Sequence, residues 1–317
     1  MLIISDITGV RSEKHFDASQ IPSQDGKCFI CTGGHAGIGL STTKGLLQAG
    51  AKVYIASRNP EKVDAAIKEL LAEHADWKDR IGFLEIDLAS LKSAKKAGEE
   101  FLGREQRLDG IVLNAGVMAV PYKLTEDGVE QSFQVNHLSH WLLFKTLLPL
   151  LESTGIKTGH PSRVINLSSF AHNFISAYPF ASASFKSLDD VNRKFDAGGW
   201  IRYSQAKLSA ILFSREINKR CGPNVQSIAV HPGFVASALY DHLAFMKPMM
   251  GTFITVEEGA ISSLYALTSP EVEEKNLWGS YLVPFAKVKA TTAYGNDPKL
   301  ASDLWDLCEK ITAEKTA

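Results

Sequence analysis

The sequence predicts a single α/β domain, a doubly wound parallel sheet of about seven strands with helices on both faces. Three observations carry that expectation. From Lys27 onward, short β-branched runs alternate with longer helical patterns, the rhythm of strand–crossover–strand units. The first strand runs straight into a glycine-rich turn, ICTGGHAGIGLS (30–41), which opens a helix. The 317 residues, 45% hydrophobic and 22% charged, are ordinary globular material and enough for one large domain with a continuous core.

The elements follow in order. Residues 1–26 are weakly periodic and end in PSQDGK, so they are expected to form an arm laid on the surface of a domain spanning 27–317. The strand candidates are KCFICT (27–32), AKVYIAS (51–57), IGFLEID (81–87), LDGIVLN (108–114), SRVINLSS (162–169) and NVQSIAVH (224–231), with GSYLVPF (279–285) late in the chain. Helical patterns cover 38–50, 59–77, a long apolar stretch near 126–151, the run that starts YSQAK at 203, 256–269, and about 297–312. Two stretches break the rhythm, 170–202 and the Met-rich 237–253. Both follow the C-terminal ends of strands, where open α/β sheets put their ligands, so both are expected to be substrate-side insertions.

Composition excludes several function classes. A net charge of −1 gives no electrostatic footprint for nucleic acid or anionic membrane. Cys28 and Cys31 resemble a CxxC, but three residues apart on a strand they point to opposite faces and cannot share a metal. They read as small buried hydrophobes. His137 and His140 lack the intervening glutamate and third ligand of a zinc site and read as helix residues. No metal is expected. No run of 18 apolar residues and no basic-then-apolar leader appears, so the chain is expected to be cytoplasmic, without an integral membrane segment.

The glycine turn lacks the GK[ST] of an NTP-binding loop. Directly after a strand and before a helix, its glycines allow a sharp turn and close approach of a pyrophosphate, and the helix N-terminus offers free N–H groups. The second strand ends YIASRNPEK. Where a dinucleotide fold selective for NAD would place an acid stands Ser57, followed by Arg58. An arginine beside a small hydroxyl grips a 2′-phosphate through charge-assisted hydrogen bonds, whereas an aspartate would repel it. The expected cofactor is therefore NADP(H).

YSQAK places Tyr203 and Lys207 four residues apart, on one face of a helix. An ammonium beside a phenol favours the phenolate and makes a useful proton donor and acceptor for carbonyl and alcohol chemistry. INLSS brings Ser168 and Ser169 to the end of the fifth strand, and VLNAG brings Asn114 and Gly116 to the end of the fourth. QVNHLSH sets Asn136 inside an apolar helix, where an amide needs a partner. VHPGFVAS makes a sharp turn after the sixth strand.

In order and spacing, TGGHAGIG (32–39), IDLAS (86–90), LNAG (113–116), VNHLSH (135–140), INLSSFAH (165–172), YSQAK (203–207) and HPGFVAS (231–237) resemble the short-chain dehydrogenase/reductase superfamily, in its retinol-dehydrogenase-like branch. The resemblance covers about 27–312 and implies a Rossmann-type fold and an NADP-dependent oxidoreductase. In it, Gly33, Gly37 and Gly39, with His35 and Ile38 in the same turn, would shape the pyrophosphate site. Ser57 and Arg58 would meet the 2′-phosphate, Asp87 and Leu88 would border the adenine, and Asn114, Ala115 and Gly116 would line the ribose side. Tyr203 would be the proton donor in reduction, and Lys207 would bind the nicotinamide ribose and lower the tyrosine pKa. Ser169 would hydrogen-bond the substrate carbonyl, and Asn136 would hold a relay water. Pro232, Gly233, Val235 and Ser237 would hold the carboxamide.

There are departures. His35 stands where this branch often has asparagine, and Ser237 where threonine is more usual. The interval from Ser169 to Tyr203 is longer than in similar proteins. Phe170, Phe174, Tyr178, Phe180, Tyr240 and Phe245 suggest a bulky apolar ketone or aldehyde, with a retinoid, a steroid or a polyketide all fitting. The stretch LAFMKPMMGTF reads as a lid over it. The intact Asn136, Ser169, Tyr203 and Lys207 favour a carbonyl reductase, or the reverse alcohol dehydrogenase. A dehydratase or ring-forming enzyme, or a cofactor-sensing protein, remains on the same scaffold. The helices bearing Asn136 and Tyr203 form dimer faces in many similar proteins, so a homodimer is expected unless the long insert covers one.

Overall fold

The computed structural model describes residues 8–10, 13–178, 181–195, 199–240 and 251–316. Eight strands form one sheet: β1 (Cys28–Thr32), β2 (Lys52–Ser57), β3 (Ile81–Glu85), β4 (Gly110–Leu113), β5 (Ser162–Leu167), β6 (Val225–Val230), β7 (Tyr281–Val283) and β8 (Lys287–Lys289). Their order is β3-β2-β1-β4-β5-β6-β7-β8. Every pairing is parallel except β7 with β8. The sheet thus has one strand more than expected. β8 is three residues long, runs antiparallel at the edge, and exposes Val288.

The central strands β1, β4 and β5 are buried throughout because helices cover both faces. β1 shows the partition. Cys28 and Ile30 join the core on one side, while Phe29 and Cys31 join the core on the other. The two cysteines lie on opposite faces, and burial raises both thiols to about 12, so they act as inert core residues.

Helices α1 (Gly37–Gln48) and α2 (Pro60–Glu73) lie on one face, and α3 (Leu91–Arg104) and α4 (Ser139–Thr158) on the other. The remaining long helices are α5 (Gly199–Arg220), α6 (Val256–Thr268) and α7 (Pro298–Lys315). α5 joins the α3–α4 face and α6 packs beside α1, where a Cβ on Gly45 would stand 2.9 Å from Leu264. α7 lies outside α4 and α5, with Trp305 edge-on to Trp141 and Phe144.

The stops are chemical. Asn59 caps α2 by accepting from the Lys62 N–H, with Pro60 at its first position. Thr255 and Glu258 form a reciprocal capping box on α6. Gly159 ends α4 in the left-handed region, at φ 73°.

The arm is less superficial than expected. Phe16 is buried against Tyr265, 5.3 Å away edge-on, and Gln24 is buried too. Burying that one aromatic side chain contributes about 1.5–3 kcal/mol toward holding the arm against the core. Among the described residues no helix is long and apolar enough to cross a membrane.

Candidate active site

The turn after β1 is built around glycine conformations. Gly33 and Gly37 have φ of 69° and 53°, which side chains rarely adopt. Gly39 has no room for a Cβ, which would stand 2.3 Å from the Gly33 carbonyl and 2.6 Å from the Asn114 amide. Ala36, the residue before α1, offers no side-chain hydrogen bond to the first turn. The free N–H groups there are left for a ligand, as suits a pyrophosphate. His35 adds a buried Nδ1 with no partner among the described residues, and burial lowers its pKa, with Lys62 adding to the effect. A cradle without side chains and an orphaned polar atom fit a dinucleotide.

Thr32 ties this turn to the next. Its Oγ accepts from the N–H groups of Asn114 and Ala115, at 2.9 and 3.0 Å, and its carbonyl accepts from the Asn114 amide at 2.8 Å. With both acceptor positions used, the Thr32 hydroxyl proton goes to His140 Nε2, 2.9 Å away. His140 Nδ1 faces the Asn136 carbonyl at 3.3 Å. The imidazole therefore links the cofactor crevice to the helix of Asn136.

Asn136 sits in a π-helical turn, Gln134–Leu138. Its side chain pairs with Val117 twice, Oδ1 accepting from the N–H at 2.8 Å and Nδ2 donating to the carbonyl at 2.9 Å. The amide expected in need of a partner finds a backbone pair. A Cβ on Gly116 would fall 2.3 Å from Asn136 Oδ1, so only glycine allows this approach. The widened turn itself had no sequence signal.

Ser57 is buried at the end of β2 and Arg58 beside it is exposed, with no described acid paired to it. Asp87 accepts from the Ala89 N–H at 2.9 Å, in a side-chain turn after β3. Leu88 puts its side chain in the core. Gly233, at φ 96°, is walled by Ile254, Pro284 and the Thr8 carbonyl. Phe234 donates its N–H to that same carbonyl at 3.0 Å, so the start of the chain clamps the turn that holds Pro232, Gly233 and Val235. Val235 bridges to Ile254, and Ser237 comes within 3.7 Å of a Cβ placed on Gly37.

Tyr203 and Lys207 are both buried on α5. Lys207 Nζ donates to the Leu167 carbonyl at 2.8 Å and lies 5.6 Å from the centre of the Tyr203 ring. Burial lowers the lysine to about 8. Tyr203 moves the opposite way from the expectation. Burial, seconded by Tyr240, raises its pKa, and the Ser169 hydroxyl opposes them only in part. The ammonium is turned toward the Leu167 carbonyl, so desolvation decides the sign. Ser169 begins a turn of 3-10 helix and accepts from the Ala171 N–H at 3.1 Å, so its hydroxyl proton is the one it has to give, here toward Tyr203.

These groups border a cavity of about 450 Å³. Ser169 and Tyr203 supply hydroxyls, while Phe170, Phe174, Tyr240, Ile38 and Val235 supply apolar wall. Met118, Trp200, Phe234 and Leu239 also line it and were not anticipated. For Trp200 a signal existed, three residues before Tyr203 on one helix, and its ring sits 6.4 Å from the tyrosine. Phe245, Phe180 and most of the Met-rich stretch lie outside the described residues. Among the described residues no three His, Cys, Asp or Glu side chains cluster as metal ligands.

Fold and site together define an α/β oxidoreductase acting on CH–OH and C=O groups. The short chain dehydrogenase family model matches residues 27–184. The short-chain dehydrogenase/reductase drtF of Aspergillus calidoustus is 37% identical, over 92% of this chain and 95% of its own length. Retinol dehydrogenase 11 of Mus musculus is 35% identical, over 89% of this chain and 85% of its own. The RhlG/NADP active-site complex of Pseudomonas aeruginosa superposes with a TM-score of 0.61 at 25% identity, covering 82% of this chain and 95% of that one. The chain belongs to the short-chain dehydrogenase/reductase family.

Proposed function

We propose that the protein is an NADPH-dependent reductase of a bulky apolar ketone or aldehyde, with Tyr203 as the general acid. The observation that carries this is the cavity, where the hydroxyls of Ser169 and Tyr203 are set together in a mostly apolar wall beside the glycine turn. Two hydroxyls suit one carbonyl oxygen, and about 450 Å³ suits a ligand of substantial size.

Each residue then has a task. The N–H groups of the first turn of α1 hold the pyrophosphate, and Arg58 with Ser57 holds the 2′-phosphate. Lys207 spends one N–H on Leu167 and keeps two for the nicotinamide ribose. Bound NADPH supplies the hydride. Ser169 directs its proton at the carbonyl oxygen, a preorganised donor where negative charge develops. Tyr203 delivers its own proton to that oxygen and is held protonated until then by burial. The aromatic wall of Phe170, Phe174 and Trp200 shields the exchange from water.

The test is a fluorescence titration with NADPH and NADH, followed by NADPH oxidation with all-trans-retinal and 9,10-phenanthrenequinone as carbonyl probes. The expected result is tighter NADPH than NADH and turnover of at least one probe. Preference for NADH would remove Arg58 from the reading. Binding of neither nucleotide would move a non-redox activity to the front.

A further inference from the structure

His172 lies at the end of INLSSFAH, is 1% exposed, and does not line the cavity. Its Nδ1 is 2.7 Å from the Ser169 carbonyl, and its backbone N–H donates to the same oxygen at 3.1 Å. A carbonyl can only accept, so Nδ1 carries the ring proton and Nε2 is an acceptor. That Nε2 is buried with no partner among the described residues. Burial lowers the imidazole pKa, so the ring stays neutral.

Against the imidazole stands Tyr281 of β7, edge-to-face at 5.0 Å and 76°. Its hydroxyl is also buried without a partner among the described residues. It is close enough to Tyr203 for the charge of one phenol to oppose ionisation of the other. A bare acceptor and a bare donor thus sit on adjoining rings, behind the residue pair proposed to meet the carbonyl. Each such orphan destabilises the fold unless it finds a partner. Hydrogen bonds at catalytic sites are often long before ligands bind and tighten in the complex.

We propose that His172 is a positioning residue for Ser169, pinning its carbonyl through Nδ1–H, and that Tyr281 is the donor to Nε2 that fixes this tautomer when cofactor and carbonyl are bound. Three N–H groups then hold Ser169: two on its carbonyl and the Ala171 N–H on Oγ. The only freedom left is the hydroxyl proton, which points at the substrate oxygen. This rests on the reductase reading for its kinetic consequence. The hydrogen-bond assignment stands apart from it.

The kinetic test compares His172→Phe, His172→Asn and Tyr281→Phe with all-trans-retinal and NADPH. Phenylalanine removes both ring nitrogens, whereas asparagine keeps a donor at the place of Nδ1. We expect His172→Phe to lower kcat on the order of 10- to 100-fold, the scale of a misplaced reacting group. The NADPH Kd should stay within about twofold of wild type, since His172 is remote from the glycine turn. His172→Asn should recover most of the loss. Tyr281→Phe should lower kcat several-fold alone and add nothing in the His172→Phe background. Unchanged kcat in His172→Phe would overturn the proposal. So would an asparagine variant no better than phenylalanine, with kcat and NADPH affinity falling together. A second measurement needs no turnover. Two-bond 15N–1H correlation spectra should show His172 with Nδ1 protonated and Nε2 bare at about pH 8. An Nε2–H tautomer would overturn the proposal even in an active enzyme. Failure to reduce any probe, with the Nδ1–H tautomer intact, would count against the reductase reading alone.

Discussion

Tyr203 holds its proton because the site around it is dry. Desolvation outweighs the Ser169 hydroxyl and raises the phenol pKa, so in the proposed reduction it would enter as an acid. Carbonyl reduction should therefore show no loss of rate on raising the pH from about 6 to about 8, whereas alcohol oxidation, which needs the phenolate, should climb throughout. Tyr203→Phe should cut turnover by about 10²- to 10⁴-fold while leaving the NADPH Kd within a few-fold of wild type. Steady-state kinetics beside a fluorescence titration separates the two, and a phenylalanine variant with near-normal kcat would remove Tyr203 as the acid. Arg58 is exposed and has no acid partner among the described residues, so its loss should cost binding without disturbing the fold. Arg58→Ala should weaken NADPH by about 1.5–3 kcal/mol, or roughly 10- to 100-fold, and leave NADH unchanged. Equal losses for the two nucleotides would show that the guanidinium does not meet the 2′-phosphate.

The π turn and α4 place Asn136, and they do it with two buried histidines. His137 lies against Phe133, Phe213 and the Cys308 thiol, and His140 bridges Thr32 and the Asn136 carbonyl. Burial lowers both from 6.5 to about 3. The unfolded chain therefore binds more protons between those values, and stability present above 6.5 is lost as pH falls through the window. By pH 5 the loss is about 2 kcal/mol for each histidine. Urea unfolding at about pH 7 and about pH 5 should show the drop, and His137→Leu should halve the share due to this pair. An identical pH slope in the variant would mean that other groups drive acid unfolding. None of this was visible in the sequence. Apolar periodicity put one helix near 126–151, but a π turn is a local response to tertiary pairing with Val117 and leaves no pattern of its own. β8 was missed for a similar reason, since KVK with an exposed Val288 has no buried face to reveal. The seven apolar strands were legible because helices cover both sides of them.

Across the whole molecule, the site was legible where chemistry needs a particular residue type. Gly39 must lack a Cβ, and Tyr203 and Lys207 must share a face, so short motifs betray them. The cavity wall was legible only in part, because any apolar side chain can furnish it and only the fold brings Met118, Trp200 and Phe234 to one surface. The resemblance pointed to a homodimer through the helices of Asn136 and Tyr203, with the long insert as the alternative cover. In the structure, α7 occupies that side. Trp305 is edge-on to Trp141 and Phe144 of α4, 6.0 Å from Phe213 of α5, and capped by Lys145 and Arg220. An aromatic surface already filled from within the chain has nothing left to give a second copy. The protein should therefore sediment as a monomer at micromolar concentration. Trp305→Ala should destabilise it by about 3–5 kcal/mol, through the cavity left among those rings. If α7 is what closes the face, the variant should also begin to self-associate as that surface opens. A wild-type dimer in light scattering would sink the idea of a self-covered face. A variant that loses stability yet stays monomeric would confine α7 to a packing role.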